Sequence, residues 1–257
     1  MKYAIMSDVH ANPVALETAL ADARGHGCER FVFLGDVTGY GYDAVRSLAL
    51  VRENFEVALL GNHDAVCIGA YRSAEVDLNP NYDLDRAQRD ALDRPDRDWL
   101  ATRPDSFSEA DFLCVHANFV LPRSWAYVID GRDAQVNFKL TQQPLLFCGH
   151  THHAALWMYA AGRCESLFEE RFCRSATRPE SVSFIRQKDC RYIVNVGSVG
   201  YPRNDLCATY VIYDSNASQV CYRRLPFDYF SYITKMMERG IQLPVWLLKL
   251  LDSVSKG

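Results

Sequence analysis

Five short apolar runs in this chain each end in a side chain able to bind a metal ion. AIMS runs into Asp8, VFLG into Asp36, ALLG into Asn62, FLCV into His116 and LFCG into His150. Runs of this length read as strands, and the carboxyl ends of strands in an α/β sheet converge on the crevice where ligands bind. The alternative is a set of unrelated polar residues at strand ends, and repetition over five runs argues against it. His10 follows Asp8 at i+2, and His152 follows His150 at i+2. In an extended chain such pairs point to one side, so each is expected to address one ion or two adjacent ions.

The collected donors are Asp8, His10, Asp36, Asn62, His116, His150 and His152, which are imidazoles, carboxylates and one amide without a thiolate. Seven donors exceed a tetrahedral zinc site and suit two ions that share a carboxylate. Mixed nitrogen and oxygen donors favour Mn, Fe, Zn, Co or Ni over Ca or a purely Mg site. Two ions about 3.5–4 Å apart hold a hydroxide between them and stabilise both the entering and the leaving oxygen of a displacement. The pattern predicts hydrolysis at phosphorus.

The rest of the sequence sets the frame. At 257 residues and 49% hydrophobic, the chain can bury a substantial core, and one domain over 1–257 is expected. A net charge of −4 argues against a surface that coats nucleic acid, and no apolar run reaches membrane-spanning length. The nine cysteines form no Cys-x-x-Cys pair, and MKYAIMSDVH offers no signal-peptide core, so a reduced, cytoplasmic protein is expected. Strands are predicted at 2–7, 31–35, 57–61, 111–115 and 145–149. Helices are predicted after Asn12-Pro13, after Asp43 and over 84–101. Farther on, 155–160, 182–186, 191–196, 208–214 and 219–225 read as strands, 163–181 as a polar loop and 227–254 as helix. Residues 1–152 are thus expected to carry the metal site on a largely parallel sheet. Residues 153–257 would complete a second, more antiparallel sheet and its helices.

Asp8-Val9-His10, Gly35-Asp36, Gly61-Asn62-His63-Asp64, His116 and Gly149-His150-Thr151-His152 resemble, in order, the five blocks of the calcineurin-like metallophosphoesterases. GYG after Asp36 and NVGSVGYPRND (195–205) resemble a bacterial branch of small phosphoesterases. The resemblance implies an α/β fold, a four-layer α/β/β/α sandwich of two mixed sheets flanked by helices. It implies that Asp8, His10, Asp36 and His152 hold one divalent ion and Asp36, Asn62, His116 and His150 the other. His63 would stand beside the phosphate as general acid or charge stabiliser, and a metal-bridging hydroxide would attack phosphorus.

Some positions depart from the pattern. Ala11 and Ala117 stand where relatives have Gly, and Val196 where the branch has Pro, so each could narrow the approach of substrate. Gly39 and Tyr40 replace the Asp and Arg of protein Ser/Thr phosphatases. A His–Asp dyad and an arginine clamp are therefore expected to be missing here, which disfavours protein phosphatase activity.

Asn62, His63 and Arg203 are candidates for contact with substrate, Arg203 because a planar guanidinium suits phosphate oxygens. A surface role is its alternative. Tyr40 and Tyr42 could stack on a nucleobase or pack within the glycine-rich loop. The apolar stripe Val245, Leu248, Leu251 and Val254 is expected to pack on the sandwich, with a homodimer contact as the alternative. The expected activity is hydrolysis of a small phosphodiester or nucleotide-type phosphoanhydride with two divalent transition-metal ions, manganese serving in vitro. Phosphomonoesterase or protein phosphatase action, a nuclease and a non-catalytic scaffold are the alternatives.

Overall fold

The computed structural model describes residues 1–169, 179–203 and 206–255. Its strands are β1 (Lys2–Met6), β2 (Arg30–Phe33), β3 (Val57–Ala58), β4 (Ser106–Ser108), β5 (Phe112–Val115) and β6 (Leu145–Cys148). They continue as β7 (Ala154–Ala160), β8 (Arg163–Glu169), β9 (Glu180–Ile185), β10 (Arg191–Val196), β11 (Cys207–Asp214) and β12 (Gln219–Pro226). The helices are α1 (Pro13–Gly25), α2 (Ala44–Asn54), α3 (Asn62–Cys67), α4 (Ala74–Asp77) and α5 (Asp83–Ala91). After them come α6 (Arg94–Ala101), α7 (Gly131–Leu140), α8 (Tyr229–Glu238) and α9 (Val245–Ser255).

The strands form two six-stranded sheets, ordered β3-β2-β1-β11-β12-β9 and β4-β5-β6-β10-β7-β8. In the first, β1, β2 and β3 run parallel and β11, β12 and β9 add antiparallel. In the second, β5, β6 and β10 are parallel, with β4, β7 and β8 antiparallel at the flanks. Both sheets are therefore equally mixed. Strands from residue 154 onward supply half of each sheet and do not build a separate one, because β11 inserts beside β1 and β10 beside β6.

Alternation along the strands assigns the layers. Tyr3 and Ile5 of β1 point into the core between the sheets, with Phe112, Phe147, Val194 and Tyr213. Ala4 and Met6 point the other way, onto Leu16, Leu20 and Leu48 of α1 and α2. On the far side, Leu146, Trp157 and Ile193 meet Ala134 and Phe138 of α7. This is the expected α/β/β/α order.

Local chemistry starts the first helices. The Asn12 side chain accepts from the Ala15 amide at 3.1 Å, with Pro13 opening the first turn of α1. Asp43 does the same for α2 through the Arg46 amide at 3.0 Å. The stretch 84–101 breaks into two helices, because Asp93 caps a new start at Arg94-Pro95.

Two expectations need correction. Residues 163–169 form strand β8, joined to β7 by a tight turn in which Ala161 and Gly162 both have positive φ. Arg163, Glu165, Ser166 and Leu167 are exposed, so no apolar alternation marks it, while 170–178 lie outside the described residues. In α9, Leu247 and, of the expected stripe, Leu251 pack against the cluster of Tyr232 and Met236, whereas Val245 and Leu248 are exposed. Among the described residues no helix is long and apolar enough to cross a membrane.

Phe112 lies at the centre of the inter-sheet core, with ring centroids 5.1 Å from Tyr3, 5.7 Å from Phe147 and 5.8 Å from Tyr213. Phe112→Ala is expected to lower stability by about 3–5 kcal/mol. Urea unfolding measures this, and a loss under about 1 kcal/mol would contradict the packing described.

Candidate metal centre

Asp8 and His10 follow β1, Asp36 follows β2, His116 follows β5, and His150 and His152 follow β6. Asn62 and His63 open α3. All are buried. The i+2 pairs do not converge through extended backbone, as the sequence suggested. Asp8, His10, Asp36, His150 and His152 all have left-handed φ, between 47° and 68°. Such conformations cost of order 1–3 kcal/mol each for non-glycine residues and persist only where the surroundings enforce them. Here the Asp8 amide donates to the Gly35 carbonyl and the His10 amide to the Asp36 carbonyl, both at 3.0 Å. The Gly149 amide likewise donates to the His116 carbonyl at 2.9 Å. Gly149 is required by contact, since a Cβ there would lie 2.1 Å from Ser7 Oγ and 2.4 Å from Asp8 Oδ2.

The four imidazoles are pinned alike. Nδ1 of His10, His116 and His152 donates to the carbonyls of Thr38 (2.8 Å), Leu34 (3.1 Å) and Tyr201 (2.7 Å). Nε2 of His150 donates to the Trp125 carbonyl at 2.9 Å. A ring nitrogen facing a carbonyl must carry the proton, so the other nitrogen of each ring presents a lone pair inward. The carboxylates divide their oxygens the same way. Asp8 Oδ2 accepts from the His150 amide (3.0 Å) and Asp36 Oδ1 from the His63 amide (2.9 Å). Asp8 Oδ1 and Asp36 Oδ2 are buried without a hydrogen-bond partner.

The inward atoms are all acceptors. His10 Nε2 and His152 Nε2 are 3.0 Å apart, and His116 Nε2 lies 3.1 Å from Asn62 Oδ1. Asp8 Oδ1 is 3.4 Å from His152 Nε2, and Asp36 Oδ2 is 3.3 Å from His116 Nε2. Lone pairs facing lone pairs repel unless a cation stands among them. Donor atoms of Asp8, His10 and His152 lie within 4.8 Å of one another, and so do those of Asp36, His116 and His150. The donor set therefore fits divalent ions.

Charge in the cluster points the same way. Burial would raise the Asp8 and Asp36 carboxyls, but the imidazoles beside them, His152 and His116 foremost, hold both below the usual carboxylate range. Burial would lower His116, yet Asp36 overrides it and lifts the ring to about 9. Burial, helped by His116, pushes His150 down to about 4 and keeps it neutral. Without an ion, only a second proton on His116, at Nε2, would supply the positive charge that the carboxylates demand, and a bound cation takes the place of that proton.

His63 departs from expectation in a specific way. Its Nδ1 faces both carboxylate oxygens of buried Asp85, at 2.9 and 3.0 Å. A His–Asp dyad is therefore present, supplied by α5 and not by the position now held by Gly39. Gly39 makes room for it: a Cβ there would lie 2.6 Å from His63 Nδ1 and 2.9 Å from Asp85 Oδ1. Gln88, one turn on, accepts from the Gly39 amide at 2.8 Å and donates to the Gly41 carbonyl at 2.9 Å. Asp64 accepts from the amides of Asp36 (2.8 Å), Val37 (3.0 Å) and Thr38 (3.0 Å), fixing the loop from the other side.

Of the candidate ligands, Asp36, Asn62, His150 and His152 line a polar pocket of about 80 Å³ whose walls include Asn81, Tyr82, Tyr127 and Arg203. Arg203 lies over Tyr40 and Tyr201, 5.5 and 5.4 Å from their centroids, so a guanidinium borders the site after all. Tyr40 is stacked on Tyr201 at 4.4 Å and packs on His10 and His63, and it also lines the pocket. Tyr42 packs on Tyr232 and is absent from the pocket wall. Ala11, Ala117 and Val196 are also absent from that wall and obstruct nothing there. Sequence reasoning missed Asp85, Tyr82 and Tyr127, none of which belongs to a motif. The one available signal was Asp85 and Gln88 on one face of an otherwise charged helix.

The profile of the calcineurin-like phosphoesterase superfamily domain matches residues 1–218. An uncharacterized protein of Methanocaldococcus jannaschii is 25% identical over 252 residues, covering 95% of this chain and 94% of its own length. The crystal structure of a metallophosphoesterase from Sphaerobacter thermophilus superposes with a TM-score of 0.77 at 29% identity, covering 94% of this chain and 95% of that one. A hypothetical protein of Pyrococcus horikoshii OT3 shares the fold, with a TM-score of 0.68 at 13% identity over 97% of each chain.

Ions held by this cluster bind the folded state alone and must stabilise it. Manganese at about a thousand times its dissociation constant is expected to add about 4 kcal/mol and raise the melting temperature. Asp36→Asn should abolish that rise in a thermal-shift titration, and an undiminished rise would place the ions elsewhere.

Proposed function

We propose that this chain, which belongs to the calcineurin-like phosphoesterase superfamily, hydrolyses a small phosphodiester or nucleotide-type phosphoanhydride with two divalent ions. Membership makes it a metal-dependent phosphoesterase. The observation that carries the finer reading is the set of unpartnered inward acceptors, Asp8 Oδ1 and Asp36 Oδ2, faced by imidazoles whose other nitrogens are occupied. Asp8, His10, Asp36 and His152 would hold one ion and Asp36, Asn62, His116 and His150 the other. Bound ions supply Lewis acidity toward a phosphoryl oxygen and an activated water at neutral pH. Manganese is the ion proposed for assays in vitro, with Fe, Zn, Co and Ni equally compatible with the donors.

The chain's own groups supply the rest. Burial would lower the His63 pKa, but Asp85 and Asp36 outweigh it and raise it, favouring the protonated ring. With Nδ1 held by Asp85, Nε2 is the atom left to give a proton to the departing oxygen. Asn62 and Arg203 flank the pocket, where their donors suit non-bridging phosphoryl oxygens. Arg203 and the His63–Asp85 pair supply, from other positions, the two features whose expected absence disfavoured protein phosphatase activity. Phosphomonoester hydrolysis is therefore the second reading. A scaffold would need neither the pinned imidazoles nor the dyad. We place the protein in the cytoplasm, in keeping with cysteines that are free among the described residues.

Bis-p-nitrophenyl phosphate and p-nitrophenyl phosphate, assayed with manganese, test the reading. Turnover of the diester is expected, and no turnover of either ester with any of the five metals would overturn it. His63→Ala should lower kcat by about 10²–10⁴ while retaining bound metal. Asp85→Asn, acting through His63, should lower kcat by about 10–100-fold with KM little changed. An Asp85→Asn enzyme with wild-type kcat would remove the dyad from the mechanism.

A further inference from the structure

Tyr127 belongs to two cavities. One face of its ring stacks on His150, with centroids 4.3 Å apart and planes at 14°, closing a wall of the metal pocket. The residue is nonetheless 57% exposed and also lines a separate groove of about 250 Å³, between the 118–127 loop and α7. That groove is walled by apolar side chains that face solvent: Leu121 is 65% exposed and Val136 52%. Its polar members are already engaged. The Asn118 amide donates to Ser124 Oγ and the Leu121 carbonyl, and Asn137 Oδ1 accepts from the Phe119 amide. Asp133 accepts from the Ile129 amide and leaves negative charge at the groove, which disfavours a second phosphate there.

We infer that this groove holds the ester group retained on phosphorus, and that this group is a neutral apolar or aromatic ring. The inference rests on the phosphodiester reading above. Its geometry follows from the two ends of the cluster: His63 groups with His10 and Asp36, whereas His150 groups with His116 and Asp36. The oxygen that leaves takes its proton at the His63 end. The substituent that stays is directed over His150, toward Tyr127 and the groove beyond. Burying a ring against exposed aliphatic and aromatic surface favours binding through area, the side-chain amides of Asn118 and Asn137 being already engaged within the chain. A monoester has no group to place there, so the groove selects diesters.

Two diesters with one leaving group isolate the retained group: methyl p-nitrophenyl phosphate and 1-naphthyl p-nitrophenyl phosphate. Hydrolysis adds water across the bond from phosphorus to the nitrophenyl oxygen, releasing nitrophenol and leaving the methyl or naphthyl monoester. The manganese-loaded protein is expected to show kcat/KM at least about ten-fold higher for the naphthyl ester, carried mainly by KM. Val136→Asp, which sets a charge in the groove, should bring the ratio of the two esters toward one, as should Tyr127→Ala. Equal kcat/KM for both esters in the unaltered protein would overturn the inference. So would a Val136→Asp protein that keeps the full ratio, or one that slows both esters by the same factor. Absence of turnover with both esters would instead strike the phosphodiester reading itself.

Discussion

Two carboxylates shut away from water govern this molecule. Asp8 and Asp36 are fully buried, and each leaves one oxygen without a hydrogen-bond donor. An isolated buried carboxylate is costly by many kcal/mol, so it must be paired, protonated or metal-bound. The surrounding imidazoles hold both carboxyls ionised, which removes protonation as the remedy. What remains is positive charge inside the cluster. The left-handed backbone at five of the ligand positions follows from that demand, because only bent strand ends aim these side chains at one another. The hydrophobic layers on either side of each sheet, not the site, stabilise the fold enough to tolerate the strain.

Those strand ends were legible from the sequence because burial and periodicity are local signals. An apolar run followed by Asp or His announces both the strand and its ligand. Strand order was not legible. β11 lies beside β1, and the Tyr3–Tyr213 pairing that results joins residues far apart in sequence, so no window of sequence contains it. β8 escaped for the opposite reason: Arg163, Glu165, Ser166 and Leu167 are exposed, and an exposed strand carries no apolar alternation. The expected seam on α9 held only in part, because a stripe at helical spacing does not say which side has a partner. Leu251 of that stripe packs inward with Leu247, one residue off it, while Val245 and Leu248 face solvent.

Asp85 marks the sharper limit. Sequence logic sought a dyad partner at a fixed distance from Asp36 and found Gly39. In space, the missing side chain at Gly39 is what admits a carboxylate from α5 to the same nitrogen of His63. The absence of one motif residue and the presence of a distant one are a single event, and only coordinates join them. Arg203 follows the same logic, since a guanidinium from beyond β10 borders the pocket where position 40 offers a phenol.

Chemistry and selectivity thus reside in different parts of the chain. The metal-binding motifs sit at strand ends, locked by backbone hydrogen bonds and by carbonyls that fix each imidazole. Change there disturbs charge balance at once. Asn81, Tyr82, Tyr127 and Arg203 come from connecting segments that meet the candidate ligands from above, Tyr82 accepting from the Asn62 side chain at 3.1 Å and Tyr127 stacking on His150. Loops on a rigid scaffold can vary without disturbing the strands beneath them. Tyr127 shows how the two parts meet, since one face of its ring packs on a ligand histidine while the residue borders an apolar groove. Under the proposed function the strand ends would carry the attack on phosphorus, and the segments above them would choose the substrate.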